Sequence, residues 1–247
     1  MRCRHMLIPA VVTVLVAAGC GASTQRTAQV ADAPQTPCPH QQAVVTRALD
    51  RSHLQVDVTG DGIPDTVAAA SDPSAAKPCR GFVAIRTSEG GVYAAHLIPN
   101  AVPMRSIRAR VVGVPRLGGR TGADIVVDTG AAVDAMLAQM FTFTGGRLRA
   151  VQVPDEPNGS FIVVGGGVVF PHGAGCTRDG RLMLSHAAQT ADGRSFRVVR
   201  RTYPLQPDGL GFTQPVVTRA TVPVNQLGAR FPEFVGLHWR ACSSSPA

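Results

Sequence analysis

The chain has 247 residues and a formal net charge of +8, with 24 basic residues against 16 acidic residues. It contains one tryptophan and two tyrosines, whereas a nucleic-acid-binding surface combines basic residues with stacking aromatic side chains or a recognisable module. The composition therefore argues against nucleic acid as a partner. The two arginine-rich stretches, residues 105–110 and 197–201, are expected to be solvated strand faces or to be attracted to anionic surfaces.

The first 19 residues have the layout of a secretory signal peptide. Two arginines precede an apolar stretch, Met6–Ala18, which is too short to cross a bilayer because about 20 apolar residues are needed. The letters LVAAGC, Leu15–Cys20, resemble the lipobox of bacterial lipoproteins, although Ala17 stands where leucine is usual. The resemblance implies that Cys20 becomes the lipidated (palmitate-bearing) first residue of a protein anchored outside the cell membrane. Secretion with cleavage near the same place is the alternative.

Residues 20–37 are predicted to form a flexible tether. The segment contains small and polar residues and two prolines, and it has little apolar surface to bury. Such a segment cannot offset the entropy lost on ordering. We expect it to hold a folded domain, residues 38–247, away from the membrane.

Four cysteines follow the proposed anchor, and an even number in an exported chain predicts disulfide bonds. They are Cys38, Cys79, Cys176 and Cys242. Four cysteines allow three pairings, and sequence does not choose among them. Our working assignment is Cys38–Cys79, which joins the start of the domain to its first repeat, and Cys176–Cys242, which secures the C-terminus. A zinc site is disfavoured because no pair has C-x-x-C spacing.

The domain has the pattern of a β-rich protein. The 26 glycines and 19 prolines separate short apolar runs, several of which alternate, as in Phe82–Thr87 and Met140–Thr144. Helix is expected only in short pieces, at Gln41–Asp50 and Ala131–Gln139. The glycine-rich stretch Val163–Cys176 lacks the Gly-Lys-Ser/Thr ending of a phosphate-binding loop, so its glycines are expected to let sheets pack closely or to form a bulge.

The stretch DVTGDGIPD, Asp57–Asp65, has the spacing of a calcium-binding loop. Calcium takes six to eight oxygen ligands from a sharply turning segment, and Gly62 permits such a turn. The candidate ligands are the side chains of Asp57, Thr59, Asp61 and Asp65 and the carbonyl of Ile63. No acidic residue closes the loop at its twelfth position, so weak, structural binding is expected. The alternative is a metal-free turn in which Asp65 accepts backbone N–H bonds.

Several residues recur at an offset of 59 positions. The pairs are Gly60 with Gly119, Asp65 with Asp124, and Phe82 with Phe141; Asp61-Gly62 matches Asp179-Gly180 at twice that offset. DVTGDGIPD and the strand after it resemble the loop of FG-GAP or VCBS-type repeats, and the whole layout resembles exported actinobacterial-type lipoproteins that carry them. The resemblance implies a calcium-binding loop on each blade of an integrin-like β-propeller. In the second unit, however, Arg120 replaces Asp61.

A period near 60 residues with several strands per unit predicts an all-β fold of stacked antiparallel blade-like sheets, as in an incomplete or small β-propeller. Closed propellers have about four blades or more, and three units are countable here. A fourth is expected from Gln214–Val224 together with Glu233–Ala241, where Trp239 is expected to be a core residue. A β-sandwich or an open, curved stack of sheets is the alternative.

No established catalytic motif is present in the sequence. There is no G-x-S-x-G elbow, and the histidines lack the spacing of metal-ligand motifs. We therefore expect a non-catalytic domain that binds a protein or an envelope polymer, steadied by calcium. The alternative is an exported hydrolase with an unrecognised site, which predicts a cleft where aspartates or a histidine–aspartate pair converge.

Overall fold

The computed structural model describes residues 38–76, 79–98, 109–132, 134–154, 161–239 and 241–242. All of them belong to one unit, Pro37–Ala247. The described residues are dominated by antiparallel strands, which confirms the predicted all-β class. The predicted signal peptide, Cys20 and the predicted tether lie outside the described residues.

The described elements begin with the helix α1, Gln41–Arg51, close to its predicted position. Thirteen strands follow in the described part of the chain: β1 (Gln55–Val56), β2 (Asp65–Ser71), β3 (Gly81–Arg86), β4 (Val92–His96), β5 (Arg110–Gly113), β6 (Ile125–Ala132), β7 (Ala135–Thr144), β8 (Arg147–Ala150), β9 (Ile162–Gly165), β10 (His172–Cys176), β11 (Leu182–Gln189), β12 (Ser195–Tyr203) and β13 (Val216–Pro223). A 3₁₀ helix (Val224–Gln226), the short helix α2 (Leu227–Arg230) and a second 3₁₀ helix (Pro232–Phe234) come after them.

The strands form two antiparallel sheets. The first sheet has the order β1-β2-β3-β4, and the second has the order β13-β12-β11-β10-β9-β7-β6-β5, with β8 also paired to β7. Strand β7 is long enough to pair with β9 through Ala135–Ala138 and with β8 through Phe141–Thr144. The chain thus makes three successive four-stranded meanders, β1–β4, β5–β8 and β10–β13, and β9 connects the second to the third.

The meanders pack in layers because their strands bury side chains on both faces. On β6, Ile125 and Val127 contact a core shared with the first sheet, while Val126 belongs to a core shared with β10–β12. Alternate residues of a strand point to opposite faces, so the middle meander is covered on both sides. Helix α1 covers the outer face of the first sheet, and α2 covers one face of β11–β13. Among the described strands the sheets do not close, and the arrangement is sandwich-like.

Two sequence predictions of secondary structure are wrong. Ala131–Gln139 was expected to be helical, but it ends β6 and begins β7, with Ala132 opposite Ala135. The Glu233–Ala241 strand does not form: this region contains a 3₁₀ helix and, among the described residues, a single bridge between His238 and Gly175. Trp239 is nevertheless a core residue, 4% exposed.

The glycines of β10 allow the C-terminal segment, rather than a second sheet, to approach the sheet closely. A Cβ atom on Gly173 would lie 2.7 Å from the carbonyl oxygen of Glu233, and one on Gly175 would lie 2.7 Å from that of His238. A side chain at either position would therefore displace the backbone of the C-terminal segment.

Both disulfide bonds form with the predicted pairing. Cys38 is joined to Cys79 across 41 residues, and Cys176 to Cys242 across 66 residues. The first ties the start of α1 to the segment before β3, and the second ties the end of β10 to the C-terminal segment. Each bond closes a long loop, which restricts the unfolded chain.

Candidate functional site

The predicted calcium loop connects β1 to β2 and turns on two glycines. Gly60 and Gly62 have φ values of +82° and +86°, which favour glycine. A Cβ atom on Gly60 would also lie 2.5 Å from Oγ1 of Thr121. This glycine is therefore required both by its backbone conformation and by the packing of the neighbouring loop.

The side chain of Asp57 accepts hydrogen bonds from backbone groups of the loop. Its side chain is nearly buried, at 8% exposed for the residue. Oδ1 accepts a hydrogen bond from the N–H of Gly60 (2.6 Å), and Oδ2 accepts one from Gly62 (3.1 Å). The carbonyl oxygen of Asp57 accepts a further bond from the N–H of Ala123 (2.8 Å), which links this loop to the loop before β6.

Asp65 is fully buried at the first position of β2. Its Oδ2 accepts hydrogen bonds from the N–H groups of Val58 and Thr59, both at 2.9 Å. These bonds are the ones expected for a turn in which Asp65 serves the backbone. The fold therefore needs Asp65 even without a ligand.

The remaining candidate ligands of the predicted calcium site are spread over the loop. Asp61 is exposed, and its Oδ1 accepts from the N–H of Ile63 (2.8 Å), whose side chain is also exposed. Two buried oxygens, Oγ1 of Thr59 and Oδ1 of Asp65, have no hydrogen-bond partner among the described residues. The oxygen chemistry suits calcium, but the described residues contain no group of three or more Asp, Glu, His or Cys placed to share a metal ion.

The loop before β6 repeats part of this arrangement at the offset of 59. Leu117 is buried like Val58, Gly119 has a φ of +69° like Gly60, and Asp124 is fully buried like Asp65. Both aspartates are thus fully buried where a strand begins.

Arg120 supplies a positive charge to the second loop. It stands at the position that corresponds to Asp61, and its guanidinium forms an ion pair with Asp124. Its Nη1 also donates to Oγ1 of Thr142 (2.7 Å). Burial raises the pKa of the Asp124 carboxyl above its ordinary value, and the neighbouring Arg120 opposes that rise.

Other parts of the predicted repeat differ in register. Phe82 lies opposite Ala70 near the end of β2, whereas Phe141 lies opposite Ile125 at the start of β6. The predicted alignment of these two phenylalanines is therefore wrong. Asp179 and Gly180 do lie in the turn between the first two strands of the third meander, where the exposed Asp179 pairs with Arg181 (2.7 Å).

A cleft of about 380 Å³ on the third meander brings together residues that the sequence left isolated. It is lined by Val163, His172, Gly173, Leu184, Ser185, His186 and Arg201. His172 lies opposite His186 in the register of β10 and β11, with ring centroids 6.5 Å apart. The two histidines are equidistant from the hairpin turn at Asp179, and this symmetry is the one sequence signal of their contact.

Ser185 does not pair with a histidine. Its hydroxyl donates to Oε1 of Glu233 (2.7 Å), on the opposite face of β11 from His186. Glu233 is fully buried and accepts two further bonds from Arg200, at 2.9 and 2.8 Å. This cluster attaches the C-terminal 3₁₀ helix to the sheet. No acidic side chain is among the described residues that line the histidine cleft.

Neither helix in the described part of the chain has the length and apolar character that a membrane span requires. Comparison with protein-family models, curated proteins and solved structures gives no match for this chain.

Proposed function

We propose that this chain is an exported, lipid-anchored cell-envelope protein whose β domain binds a protein or an envelope polymer without transforming it. The observation that carries the proposal is the pairing of all four cysteines that follow Cys20. Structural disulfides persist in oxidising, extracytoplasmic compartments. Cysteine use in the domain thus agrees with the signal-like N-terminus, and Cys20 is left for lipidation.

We propose further that the domain is a divergent FG-GAP/VCBS-like repeat protein with an incomplete propeller-like stack. The support is the run of three four-stranded meanders and the paired loops that end at Asp65 and Asp124. In both loops a fully buried aspartate stands where a strand begins, five residues after a glycine with a positive φ. Duplication of one module accounts for this coincidence more simply than independent origin.

Calcium steadies the first loop in this proposal. Asp57, Asp61 and Asp65 carry three negative charges, and no basic side chain pairs with them among the described residues. Two buried oxygens, on Thr59 and Asp65, also lack partners. In the second loop Arg120 supplies the cation internally, so only the first loop is expected to depend on an added metal.

The anchor is tested by substituting Cys20. In the native host, the wild-type protein is expected to incorporate labelled palmitate and to remain in the membrane fraction. Cys20→Ala should carry no label and should accumulate as precursor or leave the membrane. Cys3→Ala, within the predicted signal peptide, is the matched control and should behave as wild type. Equal labelling of Cys20→Ala would contradict the proposal.

The calcium prediction is tested by thermal unfolding. With a Kd of about 1 mM, 10 mM calcium adds about 1.4 kcal/mol, which raises Tm by roughly 3–6 °C. Asp61→Asn should abolish this rise while leaving the metal-free Tm nearly unchanged, because Asp61 is exposed. Asp179→Asn, in the corresponding turn of the third meander, should retain the rise. If 10 mM calcium does not change the wild-type Tm, the calcium prediction is wrong and the loop is a metal-free turn.

A further inference from the structure

One face of the third meander concentrates basic side chains that the sequence distributes over four strands. In the register of the sheet His172 lies opposite His186, His186 opposite Val199, and Val199 opposite Arg219. Directly opposite residues share a face, as do alternate residues of one strand. Arg197 and Arg201 therefore join this row from either side of Val199. We call this surface, formed by His172, His186, Arg197, Arg201 and Arg219, the arginine–histidine face.

The fold determines which part of this face is available. Near Leu182, Leu184 and Tyr203 the same face packs in the core shared with the middle meander, so its exposed part is the end that carries Arg197 and Arg219. The opposite face of β11–β13 is buried by a core of Ala187, Phe196, Val198, Val222, Leu227 and Phe231. Arg200 points to that side, where it is neutralised by Glu233. On the arginine–histidine face, Arg197 and Arg219 are exposed and the other members are half-buried. The alternation of the RVVRR segment thus separates a structural arginine from surface arginines.

The charge of this face is positive among the described residues. The strand positions directly opposite its members are occupied by Ala188, Leu184, Val199, Val217 and Thr221, none of which is acidic. The nearest acids lie at its margin. Asp192, in the β11–β12 turn, accepts from Oγ1 of Thr190 and from the N–H of Arg194. Asp134 lies beside Gly167, next to the β9–β10 turn.

The geometry suits several anionic groups rather than one. The row from His172 to Arg219 spans three inter-strand spacings, about 14 Å, and Arg197 and Arg201 are about 13 Å apart along β12. At one end, the cleft beside His172 and His186 can admit a single anionic group, with Arg201 Nη1 3.3 Å from Nδ1 of His186. Burial lowers the pKa of His172, so this histidine adds little positive charge at neutral pH.

We propose that the arginine–histidine face binds an anionic polysaccharide whose repeating units bear phosphate or carboxylate groups. The inference rests on the proposed function, because it specifies the polymer class that the domain meets outside the membrane. A polymer can contact basic side chains that are spread over about 14 Å, which one small anion does not. The competing occupant is an anionic membrane. The more exposed apolar residues Val168 (86%) and Phe170 (59%), which membrane insertion would use, lie in the β9–β10 turn, whereas Val217 on this face is 38% exposed.

The test uses the mature lipidated protein held in phosphatidylcholine nanodiscs. Polygalacturonate and long-chain polyphosphate are passed over it, and affinity is measured at several salt concentrations. Wild type should bind at low salt and weaken as salt rises, since counterions are released. Arg197→Gln/Arg219→Gln should lose about tenfold in affinity, because two exposed charge contacts are removed. Arg47→Gln/Arg147→Gln, exposed arginines on α1 and β8, removes the same charge elsewhere and should bind as wild type.

Three outcomes overturn the proposal. One is that both double variants bind the polymers with wild-type affinity. Another is that both lose the same fraction of that affinity. The third is that wild type binds no polymer but partitions more strongly to phosphatidylglycerol vesicles than to phosphatidylcholine vesicles, and that this preference is lost in Arg197→Gln/Arg219→Gln. This outcome assigns the face to the membrane. Failure of the anchor proposal is distinguishable, because it appears as absent palmitate on Cys20 before any binding is measured. The same variants of the exported chain are then compared in solution without nanodiscs.

Discussion

Substitution of Arg200 by methionine is expected to lower the free energy of unfolding by about 3–5 kcal/mol, the loss typical of a broken buried ion pair. Glu233 is fully buried and its carboxylate accepts three side-chain hydrogen bonds, two from Arg200 and one from Ser185. The guanidinium also lies 4.5 Å from the ring centroid of Phe231. Methionine keeps the aliphatic contact and removes the charge, so the Glu233 carboxylate is left in the core with Ser185 alone.

Urea unfolding at pH 7 measures this loss. The matched control is Arg197→Met, three positions earlier on the same strand and exposed on the other face, which should change stability by less than about 0.5 kcal/mol. The double variant Arg200→Met/Glu233→Gln should recover part of the loss, because the uncompensated charge is gone. Equal effects of Arg200→Met and Arg197→Met would show that the buried cluster is not stabilising.

Substitution of Arg120 by methionine is expected to destabilise the protein by about 3 kcal/mol at neutral pH. The Asp124 carboxyl is fully buried and has a raised pKa because burial disfavours its charge; Arg120 is the cation that opposes this effect. Without Arg120 the pKa rises further. The folded state then holds a proton that the unfolded chain releases near pH 4.

The sign of the pH dependence follows from linkage. When the pKa of a carboxyl is higher in the folded protein than in the unfolded chain, the carboxyl contributes most to the free energy of unfolding at pH values below the pKa of the unfolded chain. This contribution declines as pH rises. The stability difference between Arg120→Met and wild type should therefore be small near pH 4 and grow toward pH 7. Arg120→Met/Asp124→Asn should lose this pH dependence. A difference that does not vary with pH would mean that Arg120 acts through packing or Thr142, not through Asp124.

Local signals in the sequence predicted those elements whose partners are near in the chain. Helix α1 begins at the predicted residue. The turn glycines Gly60 and Gly62 have the positive φ values that the loop needs, and Asp65 accepts the N–H groups of Val58 and Thr59. The side chains of a turn form hydrogen bonds with backbone groups only a few residues away, so a short segment of sequence is enough to predict them. The disulfide pairing was one of three possibilities and was decided by the fold.

Long-range pairing overrode local pattern elsewhere. Ala131–Gln139 contains good helix formers, yet β7 is held by β6 on one side and by β8 and β9 on the other. Helix propensity amounts to a few tenths of a kcal/mol per residue, so tertiary context readily overrides it. The C-terminal apolar segment fails to form a strand for a related reason: its residues fill the space above Gly173 and Gly175 instead.

The β-rich class and the aspartate–glycine loops follow from the amino-acid sequence alone, because each depends on composition or on neighbours within about ten residues. Other contacts become apparent in the folded chain: His172 lies opposite His186, Arg200 reaches the buried Glu233 while Arg197 and Arg219 stay exposed, and Glu233 accepts from Ser185. These contacts depend on strand register across the sheet. A shift of one residue would exchange the two faces, and no local pattern in a single sequence specifies that register.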